Sequence, residues 1–141
     1  MDINYDTDFV DINCARLLKD LKFDKACLRY VNERNPEPSY LFDHNFTHRN
    51  NTELASKIHH GYITLPLWQQ VRQWLYEAHG IEVSFGHTKK AIQKFTYIIH
   101  YNTFSSKVTV SEEEFISPIL AENAGARRAV SDLYNNLSNE Q

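Results

Sequence analysis

Residues 65–85, LPLWQQVRQWLYEAHGIEVSF, combine a helix signal and a strand signal that are separated by a single glycine. Apolar residues recur there at three- and four-residue steps, which predicts an amphipathic helix that buries one face. The apolar stripe consists of Leu67, Trp68, Val71, Trp74, Leu75 and Ala78. We expect Thr64 to cap this helix, Pro66 to occupy its first turn and Gly80 to end it. Alternating apolar and polar residues from 81 to 85 then predict a strand with one solvent-facing side.

Two further strands and a long helix are predicted after this stretch. Residues 91–102, AIQKFTYIIHYN, are rich in β-branched and aromatic types, which favours a central strand hairpinned to 81–85. Residues 107–110, KVTV, are expected to add a short edge strand. The sequence SEEE at 111–114 fits a capping box, and Ser117-Pro118 indicates the start of a final helix that runs to about Leu137. Gly125 is expected to weaken that helix by about 1 kcal/mol relative to Ala.

The first half of the chain is less regular. Residues 14–21, CARLLKDL, predict a short helix that Asp11 or Asn13 caps, and residues 23–31, FDKACLRYV, predict a strand. The segment 35–57 has no hydrophobic period and is interpreted as a long loop. A short helix over 51–60, with Thr52 as its cap, would shorten that loop.

These elements predict an α+β protein. We expect one domain over residues 1–141, with a long loop at 35–57 and a frayed tail at 138–141. Its sheet is expected to be small, three-stranded and mostly antiparallel, with three main helices packed on one face, in the order α-β-loop-α-β-β-α. The rings along 67–78 and 95–101 should share one interior, with Trp74 and Tyr97 buried.

Composition and charge limit the classes of function. The chain has 42% hydrophobic and 23% charged residues, which is typical of a soluble globular domain. A formal net charge of −3 argues against a protein that mainly grips phosphate backbones nonspecifically. No apolar run reaches transmembrane length, and the acidic start MDINYDTDFV does not resemble a signal peptide. With Cys14 and Cys27 at no metal-type spacing, we expect two reduced thiols in a cytoplasmic protein that has no membrane partner.

Two blocks resemble a group of short, uncharacterised proteins encoded by tailed phages, prophages and Bacteroidetes genomes. LLKDLKFDKACLRYV is similar to their L-K-E-L-G-F-D-E-P-C opening, and LPLWQQVRQWLYEAHGIEV to their P-x-x-Q-Q-x-x-x-W-F-R-E-K-H-G-I block. The matching residues are Leu18, Leu21, Phe23, Asp24, Cys27, Pro66, Gln70, Trp74, His79, Gly80 and Ile81. The chain departs from the pattern at Lys22, where Gly is usual, at 32–57 and at 111–125. Because that family has no established activity, the resemblance implies a mobile-element origin and no particular chemistry.

A basic and aromatic segment is the first candidate binding site. Three lysines, Lys89, Lys90 and Lys94, precede a strand that carries Phe95, Tyr97 and Tyr101. Lysines beside rings on a sheet bind single-stranded nucleic acid by charge and stacking. The competing interpretation, which we favour, is that the rings form the core face, because one face of a three-stranded sheet must be covered.

A second candidate is the region around the first tryptophan. Both tryptophans are expected in the core, where a large apolar side chain contributes roughly 1.5–3 kcal/mol of burial. Trp68, however, lies in the first turn of its helix and close to Tyr62, and part of this region is predicted to be a protein-binding surface. An uncovered sheet face or edge would favour a homodimer.

Metal and catalytic sites are not predicted. His44 and His48 stand four residues apart but have no third ligand at a familiar spacing, and His59 and His60 do not share a face. No nucleophile elbow, phosphate-binding loop or paired-carboxylate motif is present. We therefore predict no cofactor and no catalytic residue. His79, just before Gly80, is expected to act as a cation that stabilises a helix C-terminus.

The leading hypothesis is a non-enzymatic accessory protein of phage or prophage type that binds a host or phage protein. An alternative from another class is a module that binds single-stranded nucleic acid or a nucleotide through Lys89, Lys90, Lys94 and nearby rings. Metal-dependent hydrolysis is a third alternative that the sequence disfavours.

Overall fold

The structure, a computed structural model, describes residues 5–35, 39–41, 50–56, 61–88, 93–101 and 107–139. The helices are α1 (Tyr5–Asp8), α2 (Ile12–Asp20), α3 (Asn51–Ser56), α4 (Trp68–His79) and α5 (Pro118–Asn139). The strands are β1 (Arg29–Asn32), β2 (Ser39–Leu41), β3 (Tyr62–Leu65), β4 (Ile81–His87), β5 (Phe95–Tyr101) and β6 (Lys107–Val110). Contacts group the chain into two compact units, Met1–Gln70 and Val71–Gln141. Helix α4 crosses the boundary, and the expectation of a single folding domain stays a prediction.

The first unit is built on a three-stranded antiparallel sheet with the order β2-β1-β3. Val31 in β1 lies opposite Ile63 in β3, and helices α2 and α3 pack against β3. Buried apolar side chains fill this unit, among them Phe9, Val10, Cys14, Leu18, Phe23, Cys27, Val31, Ile63, Leu65 and Trp68. The sheet is therefore covered by helices that are local in sequence to its strands.

Helix α2 has a cap at each end. Asp11 accepts a hydrogen bond from the backbone N–H of Cys14 at 3.1 Å, which resolves the choice between Asp11 and Asn13 as the N-cap. At the other end the N–H of Phe23 reaches the carbonyl of Leu18 at 2.9 Å. This Schellman geometry requires a left-handed residue, and Lys22 supplies it with a φ of 68°.

The second unit contains an antiparallel sheet with the order β4-β5-β6, packed against α5. In the register, Val83 lies opposite Ile99 and Phe85 opposite Tyr97, so these four side chains share the face under α5. A Cβ on Gly125 would lie 2.8 Å from both Tyr97 Cβ and Val83 Cγ1. The glycine that the sequence marks as a weak point of the helix is thus a position where α5 lies close against the sheet.

The predicted α+β class and the three-stranded antiparallel sheet are confirmed, together with α4, the β4–β5 hairpin and β6 as an edge strand. Trp74 and Tyr97 are both buried. Beyond the predicted sheet, the described residues form a second three-stranded antiparallel sheet, and α2 packs on the first sheet whereas α5 packs on the second.

Three local expectations are corrected. Thr64 lies within β3 instead of capping α4, whose first turn is closed by Gln70, with its side-chain oxygen 3.0 Å from the N–H of Leu67. Ser111 begins no helix; its hydroxyl accepts from the N–H of Tyr97 at 3.1 Å and joins the sheet. The predicted loop at 35–57 contains β2 and α3, and Asn50 caps α3 in place of Thr52.

Candidate functional site

The end of the β4–β5 hairpin is built around one aromatic ring. Phe95 pairs with His87 across the hairpin, and its ring centroid lies 4.9 Å from that of His87 and 5.9 Å from that of Phe85. On its other side Phe95 exchanges two backbone hydrogen bonds with Phe115, at 2.8 and 2.9 Å. The sheet edge is thereby extended beyond β6, and three phenylalanines meet at this end.

Helix α5 begins at the same end. Ser117 caps it, with its hydroxyl 3.2 Å from the N–H of Leu120, and Pro118 at the first helical position has no N–H to leave unpaired. Farther along the helix Gly125 lies beside Tyr97, and Asp132 accepts a hydrogen bond from Tyr101 at 2.8 Å. Since β5 runs from Phe95 to Tyr101, these contacts place the N-terminus of α5 at the hairpin end.

Several apolar side chains near this helix start are exposed, beyond the exposed glutamates at 112–114. Ile116 is 71% exposed, and Ile119, Leu120 and Phe85 are exposed as well. We call these four residues the hairpin-end patch. They rest on a capped helix and a hydrogen-bonded sheet edge, so the backbone beneath them is held in place. Exposed apolar groups on a fixed support make this end a candidate for contact with another molecule.

The patch belongs to a wider asymmetry in the described chain. Eight large apolar side chains are exposed, and all eight lie in the second unit. They are Tyr76, Phe85, Val108, Val110, Ile116, Ile119, Leu120 and Leu137. Half of them form the hairpin-end patch, which makes this end the strongest candidate for recognition.

The predicted basic and aromatic site lies only partly within the described residues. Lys94 lies half-buried at the hairpin end, where its carbonyl accepts a hydrogen bond from the N–H of Thr88 at 3.0 Å. Lys89 and Lys90 lie outside the described residues. Tyr97 is buried, which confirms its interpretation as a core ring. Burial, with a contribution from Asp132, raises the pKa of Tyr101 well above its ordinary value. The rings that remain available beside Lys94 are those of Phe85 and His87.

The two other predicted binding residues lie in the first unit. Tyr62, in β3, is half-buried with its ring centroid 5.6 Å from that of Tyr30. Trp68 is 3% exposed. A ring so deeply buried presents no surface to a partner, so the suggestion that Trp68 takes part in binding is corrected in favour of its core role. Neither residue belongs to the hairpin-end patch.

A buried polar cluster in the first unit was not predicted. The side-chain oxygen of Asn51 accepts from the N–H of Thr64 at 2.9 Å and from its hydroxyl at 3.0 Å. Its amide nitrogen donates to the carbonyl of Phe23 at 3.2 Å. Next to it, Asp24 accepts from the N–H and the hydroxyl of Thr52 at 3.0 and 2.8 Å. The cluster ties the start of α3 to β3 and to the segment after α2.

Cys27 borders this cluster and has a structural role. Its thiol donates to the carbonyl of Lys25 at 3.2 Å, and burial raises its pKa to about 12, against a smaller lowering by a hydrogen bond with Thr64. A thiol with such a pKa stays protonated at neutral pH and is a poor nucleophile. Most of the matching residues in the LLKDLKFDKACLRYV block, among them Phe23, Asp24 and Cys27, therefore have structural roles in this unit.

Histidines do not assemble a metal site in the part of the chain that is described, where no three His, Cys, Asp or Glu residues come together. His44, His48, His59 and His60 lie outside that part. His79 ends α4, with its ring centroid 4.7 Å from that of Trp74. Burial lowers its pKa, which opposes the charged form expected at this helix end.

An open groove on the second unit is lined by Arg72, Gln73, Tyr76, Glu82 and Val83. Its arginine is already engaged, with Nη1 3.3 Å from Asn123 Oδ1 and Nε 3.7 Å from Glu122 Oε2. Gln73 likewise bonds to Glu77 at 3.0 Å. The groove has polar and apolar walls alike, and its arginine connects α4 to α5.

Comparison of the chain with protein-family models, with curated proteins and with solved structures found no significant match. Among the described helices, none combines the length and the apolar character that crossing a bilayer requires.

Proposed function

We propose that this protein is a non-enzymatic accessory protein that acts by binding another protein, and that the hairpin-end patch is the surface it uses. The supporting observation is that Phe85, Ile116, Ile119 and Leu120 are exposed together on a backbone held by a helix cap and a sheet bridge. Exposed apolar side chains are unfavourable in water unless a partner covers them. The resemblance to phage and prophage proteins supports a host or phage protein as that partner.

The chemistry of the patch favours an apolar partner surface. Its members are branched aliphatic side chains and one phenylalanine, which supply contact area without donors or acceptors. Lys94 lies at its border, where a charged residue influences the rate and orientation of association more than the affinity. A protein with an apolar centre and an acidic rim would fit this arrangement.

The experiment compares capture of proteins from a bacterial lysate by the immobilised wild-type chain and by Ile116→Ser/Ile119→Ser. We expect the wild type to retain a stoichiometric protein that the double variant loses. Leu137→Ser is the matched control, because Leu137 is 43% exposed on the same helix but lies at its other end. A protein retained equally by the double variant, or no specific protein at all, would contradict the proposal.

A second candidate, single-stranded nucleic acid, is favoured by one observation. The exposed rings of Phe85 and His87 lie on the strand that leads to Lys89 and Lys90, and Lys94 follows them on the other side of the hairpin. Rings and lysines in this arrangement stack bases and pair with phosphates. We expect a salt-dependent mobility shift with oligonucleotides that Lys90→Glu/Lys94→Glu abolishes if this candidate holds. Absence of binding at low salt eliminates it.

Metal-dependent hydrolysis stays the least supported alternative. Elemental analysis of the purified protein would show stoichiometric zinc, iron or manganese if a hydrolytic centre existed. Hydrolytic activity that chelators remove would then displace protein binding as the proposed function.

A further inference from the structure

Strand β6 leaves one set of backbone groups without a strand to pair with. The sheet order β4-β5-β6 makes it an edge, paired only with β5 in the described part of the chain. The N–H of Ser111 donates to the carbonyl of Tyr97 at 3.1 Å. Because hydrogen-bonded pairs alternate along an antiparallel ladder, Thr109 also turns its N–H and C=O toward β5. The N–H and C=O groups of Val108 and Val110 therefore point away from the sheet.

The side chains of those same two residues are exposed. Val108 and Val110 are 49% and 55% exposed, and the register places Val110 opposite Ile98, on the sheet face that α5 does not cover. An edge with outward backbone groups and apolar side chains is a template for pairing with another strand. Natural edges of this kind are covered by a partner or interrupted by charge.

The charges beside β6 indicate which partner fits. Lys107 is exposed at one end of the strand, and Glu112, Glu113 and Glu114 are exposed just beyond the other end. None of these four forms an ion pair with another residue that the structure describes. An antiparallel copy of the same segment would bring the lysine of each chain to the glutamates of the other. A parallel copy would place like charges side by side.

We propose that β6 pairs antiparallel with β6 of a second copy of this chain, in a register centred on Thr109, to form a continuous six-stranded sheet. In that register Val108 lies opposite Val110 of the second copy, and the outward N–H and C=O groups of both are paired. The two-fold axis repeats each pair, so two valine pairs and two Lys107–glutamate contacts form at once. Because the two-fold axis closes the pairing, it covers the β6 edge of both chains and leaves β4 as the outer strand on each side.

This pairing is separate from the hairpin-end patch. The residues that it uses, Lys107, Val108, Val110 and the glutamates, include no member of that patch. A dimer could therefore form whether or not the patch binds another protein, and the two experiments fail independently.

The test is sedimentation equilibrium or light scattering of the full chain across concentration. We expect a monomer–dimer equilibrium, and Val110→Pro should raise the dissociation constant by about tenfold or more, because it removes two outward donors per dimer. The N–H of Val110 points away from β5, so this proline leaves the internal ladder intact, and an unchanged circular dichroism spectrum verifies the fold.

A charge exchange tests the register. Lys107→Glu should weaken the dimer by about tenfold, and adding Glu112→Lys/Glu113→Lys to it should restore the wild-type constant. Glu82→Lys, on the exposed face of β4, is the control and should leave the constant unchanged. A wild-type chain that stays monomeric up to about 1 mM, or a dimer that tolerates both Val110→Pro and Lys107→Glu, overturns the proposal.

Discussion

The two units have sheets of the same size but differ in how many apolar side chains they expose. Each contains three antiparallel strands and helices packed on them. In the first unit no described large apolar side chain is exposed, and a buried polar cluster around Asn51 joins its elements. In the second unit the core is mostly apolar, and eight large apolar side chains reach solvent. The difference is one of exposed apolar surface, and both surfaces that we propose for binding lie in the second unit.

The largest expected effect on this comparison comes from removing the residue at the centre of the polar cluster, Asn51. Asn51→Ala removes the buried hydrogen bonds that this side chain makes to the N–H of Thr64 and to the carbonyl of Phe23, at about 1–3 kcal/mol for each group. We expect the free energy of unfolding to fall by about 3 kcal/mol or more, measured by urea titration. Asn32→Ala is the control, because Asn32 accepts one bond in an exposed turn, and its loss should cost less than about 1 kcal/mol. Equal losses of unfolding free energy for the two variants would show that the buried cluster contributes no more stability than one exposed hydrogen bond.

The packing of the second unit would be tested where Gly125 of α5 lies against the sheet. Gly125→Ala should lower the free energy of unfolding by about 1–3 kcal/mol, because a methyl group would overlap with Tyr97 and Val83. Helix propensity alone predicts the opposite sign, a gain of about 1 kcal/mol. Asn135→Ala, on the exposed side of α5, shows the propensity effect by itself and should stabilise slightly. A stabilised Gly125→Ala protein would mean that α5 packs less closely than described.

A smaller change should make the first unit more stable. Lys22 has a φ of 68°, a conformation that favours glycine. Lys22→Gly should raise the free energy of unfolding by about 0.5–1 kcal/mol. Lys22→Ala keeps the side-chain clash and should give no gain, so thermal denaturation of the two variants isolates the backbone effect.

The smallest expected effect is a pH dependence in the second unit. Burial lowers the pKa of His79 in the folded chain, so as the pH falls below about 6.5 the unfolded chain takes up the proton first. Stability should therefore decline below that pH and level off under the folded pKa. Comparison of urea midpoints for the wild type and His79→Gln between pH 5 and 8 should show a shallower decline in the variant. His87→Gln, at an exposed position, is the control.

Much of the second unit was predictable because its signals are local. The helix over Trp68–His79 and the hairpin that follows show their periods within short windows, and Gly80 marks the boundary between them. The sequence predicts a strand that overlaps β1 but misses β2 and β3, because β2 has only three residues and β3 is buried at three of its four positions, so neither shows an alternation. The pairing of β1 with β3 also joins residues about thirty positions apart, which no local pattern encodes.

The candidate site was less predictable than the fold. Phe85 and Leu120 occur in the same periodic patterns as true core residues, so the sequence places them inside. Their exposure depends on where α5 begins relative to the end of the hairpin, and the bridge between Phe95 and Phe115 determines that position. Asn51 was missed for a related reason, because its partners Phe23 and Thr64 come from distant segments.

Both cysteines lie in the first unit, and each is almost completely buried. A thiol reagent can reach Cys14 or Cys27 only when that half of the chain opens, and the raised pKa of Cys27 slows its reaction further. The rate at which a thiol reagent modifies the native chain thus measures the opening of the first unit and not that of the second, and no engineered cysteine is needed.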